Sequence, residues 1–347
     1  LALLSLLYGL VTGLRNYYYD VFNVSFRSPL FVISVGNLSA GGTGKTPLCL
    51  FLAQELIKLG HKPALCLRGY AQKSGLSDEA ELYHQALGES AVFMGAKRSE
   101  SLQRAHEQGY EIALLDDAFQ HRLVQRDIDI IVVDATRLPS KDYWLPLGFL
   151  RESMRALKRA HILVINRCEM ISEKELASFI SALGKKHAQL TVIKVRTGIK
   201  GVVDLDGQPI SLSQQKVFLA TAIGNPRNFL HSAQGAALEV CGSHFFPDHH
   251  HFSEDDVRKI EEKARETQSE AILMTSKDAV KWPRKGEVPV WVLEVSPIFE
   301  GKAQYADKAQ DCREVQGDSM AQDEVKAQDC NEPNPLIEAI MKLQPHS

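Results

Sequence analysis

Residues 34–47 read SVGNLSAGGTGKTP, an order suited to holding phosphate. Gly44, Lys45 and Thr46 match the end of the phosphate-loop pattern G-x-x-x-x-G-K-[ST], while Ser39 stands at its first glycine position. Such a loop works because successive backbone N–H groups wrap phosphate oxygens at a helix N-terminus. Ser39, Ala40, Gly41, Gly42, Thr43 and Gly44 form the expected cradle, with glycine where the backbone must approach closely or take positive φ. Lys45 is expected to reach the β- and γ-phosphates of a nucleotide, and Thr46 to ligate Mg²⁺. The apolar FVI before the loop and the amphipathic PLCLFLAQELIKLG after it supply the strand and helix that this chemistry needs.

A second group of residues agrees. EIALLDDAFQH carries Asp116 and Asp117 at the end of an apolar run. In phosphate-loop enzymes an aspartate so placed holds Mg²⁺ or its water. Two carboxylates at a strand end are costly without a cation or donors to compensate them. Helix N-capping accounts for one of them more readily than for both.

The elements that must position these groups follow from the pattern of apolar runs. FVISV, PALCL, EIALL, DIIVV and HILVIN are short and rich in Ile, Val and Leu, as strands of a parallel sheet buried on both faces are. Helix-like segments alternate with them, which predicts an α/β fold: a parallel-sheet core with helices on both faces. The rhythm changes near residue 196, where GVVDLDGQPISL reads as a hairpin turning at Asp206-Gly207. VFLATA, LEVCG, AILMT and VPVWVLEV then alternate with helices near 225–234 and from about 253, the latter capped by Ser253 and Asp256. The expected organisation is an N-terminal helix (1–24), a phosphate-loop core domain (25–196) and a smaller α/β domain (197–300). A low-complexity stretch (301–334) repeats KAQDC, has almost no large apolar side chains and is expected to be disordered. A C-terminal helix and tail (335–347) close the chain.

The composition narrows the function classes. Of 347 residues, 44% are hydrophobic and 24% charged, ordinary for a globular protein. A net charge of −3 gives no basic field for nucleic acid. The six cysteines form no C-x-x-C pair, so neither a zinc site nor a disulfide framework is indicated, and a reducing compartment suits them. LALLSLLYGLVTGL is uncharged but shorter than the roughly 20 residues of a spanning helix. Ser5, Gly9, Thr12 and Gly13 share one helical face and leucines cover the rest. A helix lying in a membrane surface fits, as do a core helix and the remnant of a signal peptide.

VGNLSAGGTGKTP, LRGY, DDAFQHR, LGFLRE, IGNP, FPDHHHF and TSKDAVK occur in this order. Together they closely resemble the tetraacyldisaccharide 4′-kinases, the lipid A 4′-kinases of Gram-negative bacteria, which also accept a non-glycine at the position of Ser39. The resemblance implies transfer of the γ-phosphoryl group of ATP, with Mg²⁺, to the 4′-hydroxyl of a tetraacyldisaccharide 1-phosphate. It also implies an N-terminal helix resting on the cytoplasmic face of the inner membrane. No nucleic acid or obligate protein partner is indicated.

By the same resemblance Asp78, in SDEA where the family usually reads GDEP, matches the catalytic base, and His249 its histidine partner. Asp116 and Asp117 match the Mg²⁺-proximal pair, Gln120 and His121 residues beside the disaccharide, and Arg98 and Arg151 basic contacts to the lipid headgroup. On the residues alone, Asp78 is equally a helix N-cap and the His249–His251 run an exposed loop. Two rival classes remain at this point. A phosphate-loop GTPase or metallochaperone would use INRCE, residues 165–169, as a guanine-reading motif or the histidine run as a metal site. A membrane adaptor with a residual loop would explain the N-terminal helix but not Asp116 and Asp117.

Overall fold

A computed structural model describes residues 1–22, 25–69, 78–211, 214–248, 250–283, 286–305 and 334–343, without the side chains of Asp78 and residues 301–305. His249, the stretch 306–333 expected to be disordered, Cys312, Cys330 and residues 344–347 lie outside the described residues.

Helix α1 (Ala2–Phe22) precedes an alternating series: β1 (Phe31–Gly36), α2 (Lys45–Lys58), β2 (Pro63–Arg68), α3 (Asp78–Leu87), β3 (Val92–Gly95), α4 (Arg98–Glu107), β4 (Ile112–Asp116), β5 (Ile128–Asp134), β6 (Ile162–Asn166) and α5 (Glu173–Gly184). The rest of the chain adds β7 (Thr191–Asp204), β8 (Lys216–Thr221), α6 (Pro226–Gly235), β9 (Glu239–Phe245), α7 (Glu254–Glu266), β10 (Ala271–Thr275), α8 (Ser276–Ala279), β11 (Val290–Tyr305) and α9 (Pro335–Leu343). The strands form one sheet in the order β3-β2-β4-β1-β5-β6-β7-β11-β10-β8-β9. Every pairing is parallel except β7 with β11, which run antiparallel.

Alternate strand residues face opposite layers, so each strand feeds two cores. Ile33, Val35, Leu114, Ile130 and Val164 pack under α2, α3 and α9 on one face. On the other, Val32, Ala113 and Leu115 meet α4, while Ile131, Val133 and Leu163 meet α5. Further along the sheet, α6 and α7 cover opposite faces of β8 and β10. The capping box expected at Ser253 and Asp256 is present at the start of α7.

Three features differ from the sequence reading. The rhythm change near 196 falls inside β7, which runs on to Asp204. β11 continues to Tyr305, pairing with Thr191, past the limit that composition suggests at residue 300. The short β3 and the polar α4 carry too few apolar residues to register as periodic runs.

Of the small face of α1, Ser5 and Gly9 are buried, Thr12 is half-buried and Gly13 is exposed. Ser5 Oγ donates to the Trp144 carbonyl at 2.7 Å, and any side chain at Gly9 would run into the Trp144 ring. Leu3, Leu6, Leu7, Leu10 and Leu14 on the other faces are exposed. Among the described residues no helix is long and apolar enough to cross a membrane.

Gly36 ends β1 where the phosphate loop begins, and a Cβ there would lie 2.5 Å from Phe119 Cβ and 2.9 Å from Phe119 N. Gly36→Ala must therefore push apart the segment that follows Asp116 and Asp117. It is expected to lower stability by about 1–3 kcal/mol in urea denaturation. A variant as stable as wild type would show that this approach is slack.

Candidate active site

The site forms at the C-terminal ends of the parallel strands, where ligands of such sheets collect. β1 lies between β4 and β5, and its register sets Val35 opposite Asp116. The loop after β1 and the aspartate pair after β4 are thereby neighbours. Gly41 and Gly44 take positive φ, 109° and 94°, as a loop that turns its amides inward requires. Lys45 and Thr46, both half-buried, open α2 directly from Gly44.

Long-range contacts brace the loop. Asn37 Nδ2 donates to Thr43 Oγ1 at 3.2 Å, and Ala40 N to the Phe149 carbonyl at 2.7 Å. Asn166, at the end of β6, donates through Nδ2 to the Thr43 carbonyl at 3.0 Å and crowds Gly44, so that no Cβ fits there. Arg167 donates to the Gly42 carbonyl at 3.1 Å and pairs with Asp134 at the end of β5. Asn166 and Arg167 are the second and third residues of INRCE, and Glu169 accepts from Thr197 N at 3.2 Å. The stretch that echoes a guanine-reading motif is occupied in holding the phosphate loop and β7. Asp134, Asn166 and Arg167 have no such role in the sequence reading, because their partners lie far away in the chain.

Lys45, Asp116, Asp117 and Arg151 come together. Lys45 Nζ lies 3.4 Å from Asp117 Oδ1, and Arg151 Nη1 donates to both Asp117 oxygens at 3.0 Å. Burial would raise the Asp117 pKa, but Lys45 and Arg151 outweigh it and hold the carboxyl below its usual range. Asp117 itself has φ 48°, a left-handed conformation uncommon outside glycine and concentrated at functional turns. Asp116 is buried, and Tyr83 Oη donates to its Oδ2 at 2.8 Å. Burial raises the Asp116 pKa against the opposing pull of Lys45 and Tyr83. Among the described residues its other oxygen, Oδ1, is buried with no hydrogen-bond partner. Asp116, Asp117 and the Thr46 hydroxyl offer only oxygen donors, the chemistry that suits Mg²⁺ or its water.

The remaining expected residues are placed less uniformly. Arg98 is 2% exposed and donates through Nη2 to the main-chain carbonyls of Asp116 and Asp117, at 2.7 and 3.2 Å. It supports the aspartate pair from below. Gln120 donates to the Asn37 carbonyl at 2.8 Å, and its own carbonyl accepts from Arg15 of α1 at 3.1 Å. Ser39 is buried and bridges Leu150. The Asp78 side chain and His249 lie outside the described residues; α3 begins at Asp78. His250 pairs with Asp256 at 3.0 Å and stacks on Phe246. Among the described residues no group of three or more His, Cys, Asp or Glu is arranged to hold a metal ion.

A cavity of about 300 Å³ opens beside the outer turn of the loop, lined by Ser39–Thr43, Asp134, Phe149, Gly224 and Asp248 among others. Arg137 stacks on Phe149 at 3.8 Å from the ring centre, a flat, half-exposed wall for that cavity.

His121 has its pKa lowered to about 4 by burial and by Arg98, Arg126, Arg68 and Arg15 around it. The folded chain therefore binds fewer protons than the unfolded one between about pH 4 and 6.5, so His121 makes stability fall as pH drops through that window. Urea denaturation from pH 7 to 4.5 should show a smaller loss for His121→Gln than for wild type. Equal losses would mean that His121 carries none of the pH dependence.

Comparisons with known proteins agree with this geometry. The family described as Tetraacyldisaccharide-1-P 4′-kinase (LpxK) matches residues 1–311. The tetraacyldisaccharide 4′-kinase of Bdellovibrio bacteriovorus is 34% identical over 303 residues, covering 80% of this chain and 87% of that one. That of Chlorobaculum tepidum is 32% identical over 307 residues, covering 82% and 85%. The crystal structure of LpxK from Aquifex aeolicus in complex with ATP superposes with a TM-score of 0.65 at 26% identity, covering 86% of this chain and 94% of that one. With the family match spanning residues 1–311 of the 347, the chain belongs to the tetraacyldisaccharide-1-phosphate 4′-kinase family.

Proposed function

We propose that the chain transfers the γ-phosphoryl group of ATP to the 4′-hydroxyl of tetraacyldisaccharide 1-phosphate, giving the 1,4′-bisphosphorylated lipid A precursor. The observation that carries this reading is the Lys45–Asp117–Arg151 cluster beside a braced phosphate loop and the orphaned oxygen of Asp116. The donor phosphates sit on the amides of residues 39–46, with Lys45 offsetting charge on the transferring group. Mg²⁺, when bound, supplies further neutralisation, and Thr46, Asp116 and Asp117 are the residues that would hold it.

A sugar hydroxyl is a weak nucleophile, so a base must take its proton as the new O–P bond forms. Asp78 is that base and His249 orients it. Arg151, whose guanidinium is part exposed, meets the acid headgroup, while Gln120 and His121 line the approach of the disaccharide. Arg98 serves the reaction indirectly, through the carbonyls of Asp116 and Asp117. α1 presents its exposed leucines to the inner face of the membrane in which the lipid substrate resides. A GTPase reading is disfavoured by Asn166 and Arg167, which are engaged with the phosphate loop.

Transfer from labelled ATP to tetraacyldisaccharide 1-phosphate in detergent micelles tests the proposal with wild type, Lys45→Ala and Asp78→Ala. Labelled lipid is expected from wild type, with a loss of roughly 100-fold or more in each variant. Asp78→Ala should bind ATP as wild type does. Transfer by Asp78→Ala at the wild-type rate would remove the base assignment. Absence of labelled lipid from wild type that binds ATP would overturn the function itself.

A further inference from the structure

Lys277 stands outside the phosphate loop and the aspartate pair, yet its ammonium reaches two segments that matter to the reaction. It lies 3.5 Å from Glu79 Oε1 on α3 and 3.7 Å from Asp248 Oδ1, in the turn after β9. Glu79 follows Asp78 directly, and Asp248 directly precedes His249. Lys277 is mostly shielded from solvent, with 23% of its side chain exposed, so its charge is less screened than a surface lysine's.

The anchor of Lys277 is rigid. It sits in the short α8, whose next residue, Asp278, is completely buried. Asp278 accepts from Thr221 Oγ1 at 2.6 Å, Ala222 N at 3.0 Å and Thr275 Oγ1 at 2.7 Å. Three donors from the ends of β8 and β10 thus fix the backbone that carries Lys277.

The electrostatics require a cation here. Asp248 lines the cavity beside Gly41 and Gly42, and a Cβ at Gly224 would lie 3.0 Å from Asp248 Oδ2 and 3.7 Å from Gly42 N. Glu79 and Asp248 are both acidic and repel each other across the gap between α3 and the turn. One ammonium shared between them turns that repulsion into attraction.

We propose that Lys277 is a positioning residue for phosphoryl transfer. By clasping Glu79 and Asp248 it joins the start of α3 to the turn after β9, the two segments adjacent in sequence to the base and the partner proposed above. The proposal rests on the assignment of those two residues given above.

Steady-state kinetics of the full chain with ATP and tetraacyldisaccharide 1-phosphate test it. The variants are Lys277→Met, Lys277→Arg, Glu79→Gln and the double variant Lys277→Met/Glu79→Gln, each checked by thermal melting. Lys277→Met is expected to lower kcat about 10-fold or more with KM for ATP within about threefold, as loss of a transition-state alignment should. Lys277→Arg should restore most of the rate. The double variant should be no slower than Lys277→Met, because the two residues act through one contact. If Lys277→Met proves too unstable to assay, Glu79→Gln, which removes the same contact from the other side, must show the kcat loss on its own.

An unchanged kcat in Lys277→Met overturns the proposal. So does a KM for ATP raised about 10-fold at constant kcat, which would make Lys277 a phosphate ligand. Asp78→Asn is assayed alongside. If it is inactive while Lys277→Met is normal, the clasp alone fails; if it is fully active, the base assignment fails.

Discussion

Two carboxylates at the end of one buried strand are the constraint around which the site is built. Asp116 and Asp117 cannot both keep their charge there without cations and donors. Lys45 from the phosphate loop and Arg151 from a distant segment meet Asp117, Tyr83 meets Asp116, and Arg98 holds the two carbonyls beneath. Each of these partners comes from a different element, so the pair can exist only in the folded chain. Among the described residues one oxygen of Asp116 has no partner, and it is the acceptor that a bound cation would use.

The segment from Asp142 to Glu152 carries that constraint outward to α1. Its Phe149 carbonyl and Arg151 hold the phosphate loop and Asp117, while Trp144 packs on Gly9 and receives Ser5. Glu152, almost fully buried, accepts from Asn16 at 2.6 Å and from Arg159 at 2.8 Å. Asp20 adds pairs with Arg122 and Lys158. The helix with exposed leucines is therefore joined to the nucleotide side of the molecule through one continuous set of contacts. α1 and the phosphate loop are thus braced by the same segment between them.

Much of this was legible in the sequence, for identifiable reasons. The strands β1, β2, β4, β5 and β6 are buried on both faces and read as unbroken apolar runs. The phosphate loop is local, so its glycines and Lys45 announce themselves. β7 was hidden because TVIKVRTGIKGVVD alternates polar and apolar residues, and its pairing with β11 is set by segments about a hundred residues apart. Asn166 and Arg167 were legible only as an imperfect guanine motif, since their partners in the loop are more than 120 residues away in sequence. Arg98 shows the same limit: the family resemblance implied a lipid-headgroup contact, whereas in the fold it is buried and donates to the carbonyls of Asp116 and Asp117. Residue type conveys what a side chain can bind; only the fold decides what it meets.

If the aspartate pair holds Mg²⁺ opposite Lys45, ATP affinity must depend on the metal through Asp116. Isothermal titration of wild type and Asp116→Asn, each with ATP alone and with Mg²⁺ and ATP, isolates the metal's contribution. Binding is expected to be tighter with Mg²⁺ in wild type, and Asp116→Asn to lose that gain while keeping or improving its affinity for metal-free ATP. A Mg²⁺ gain of equal size in both proteins would contradict it.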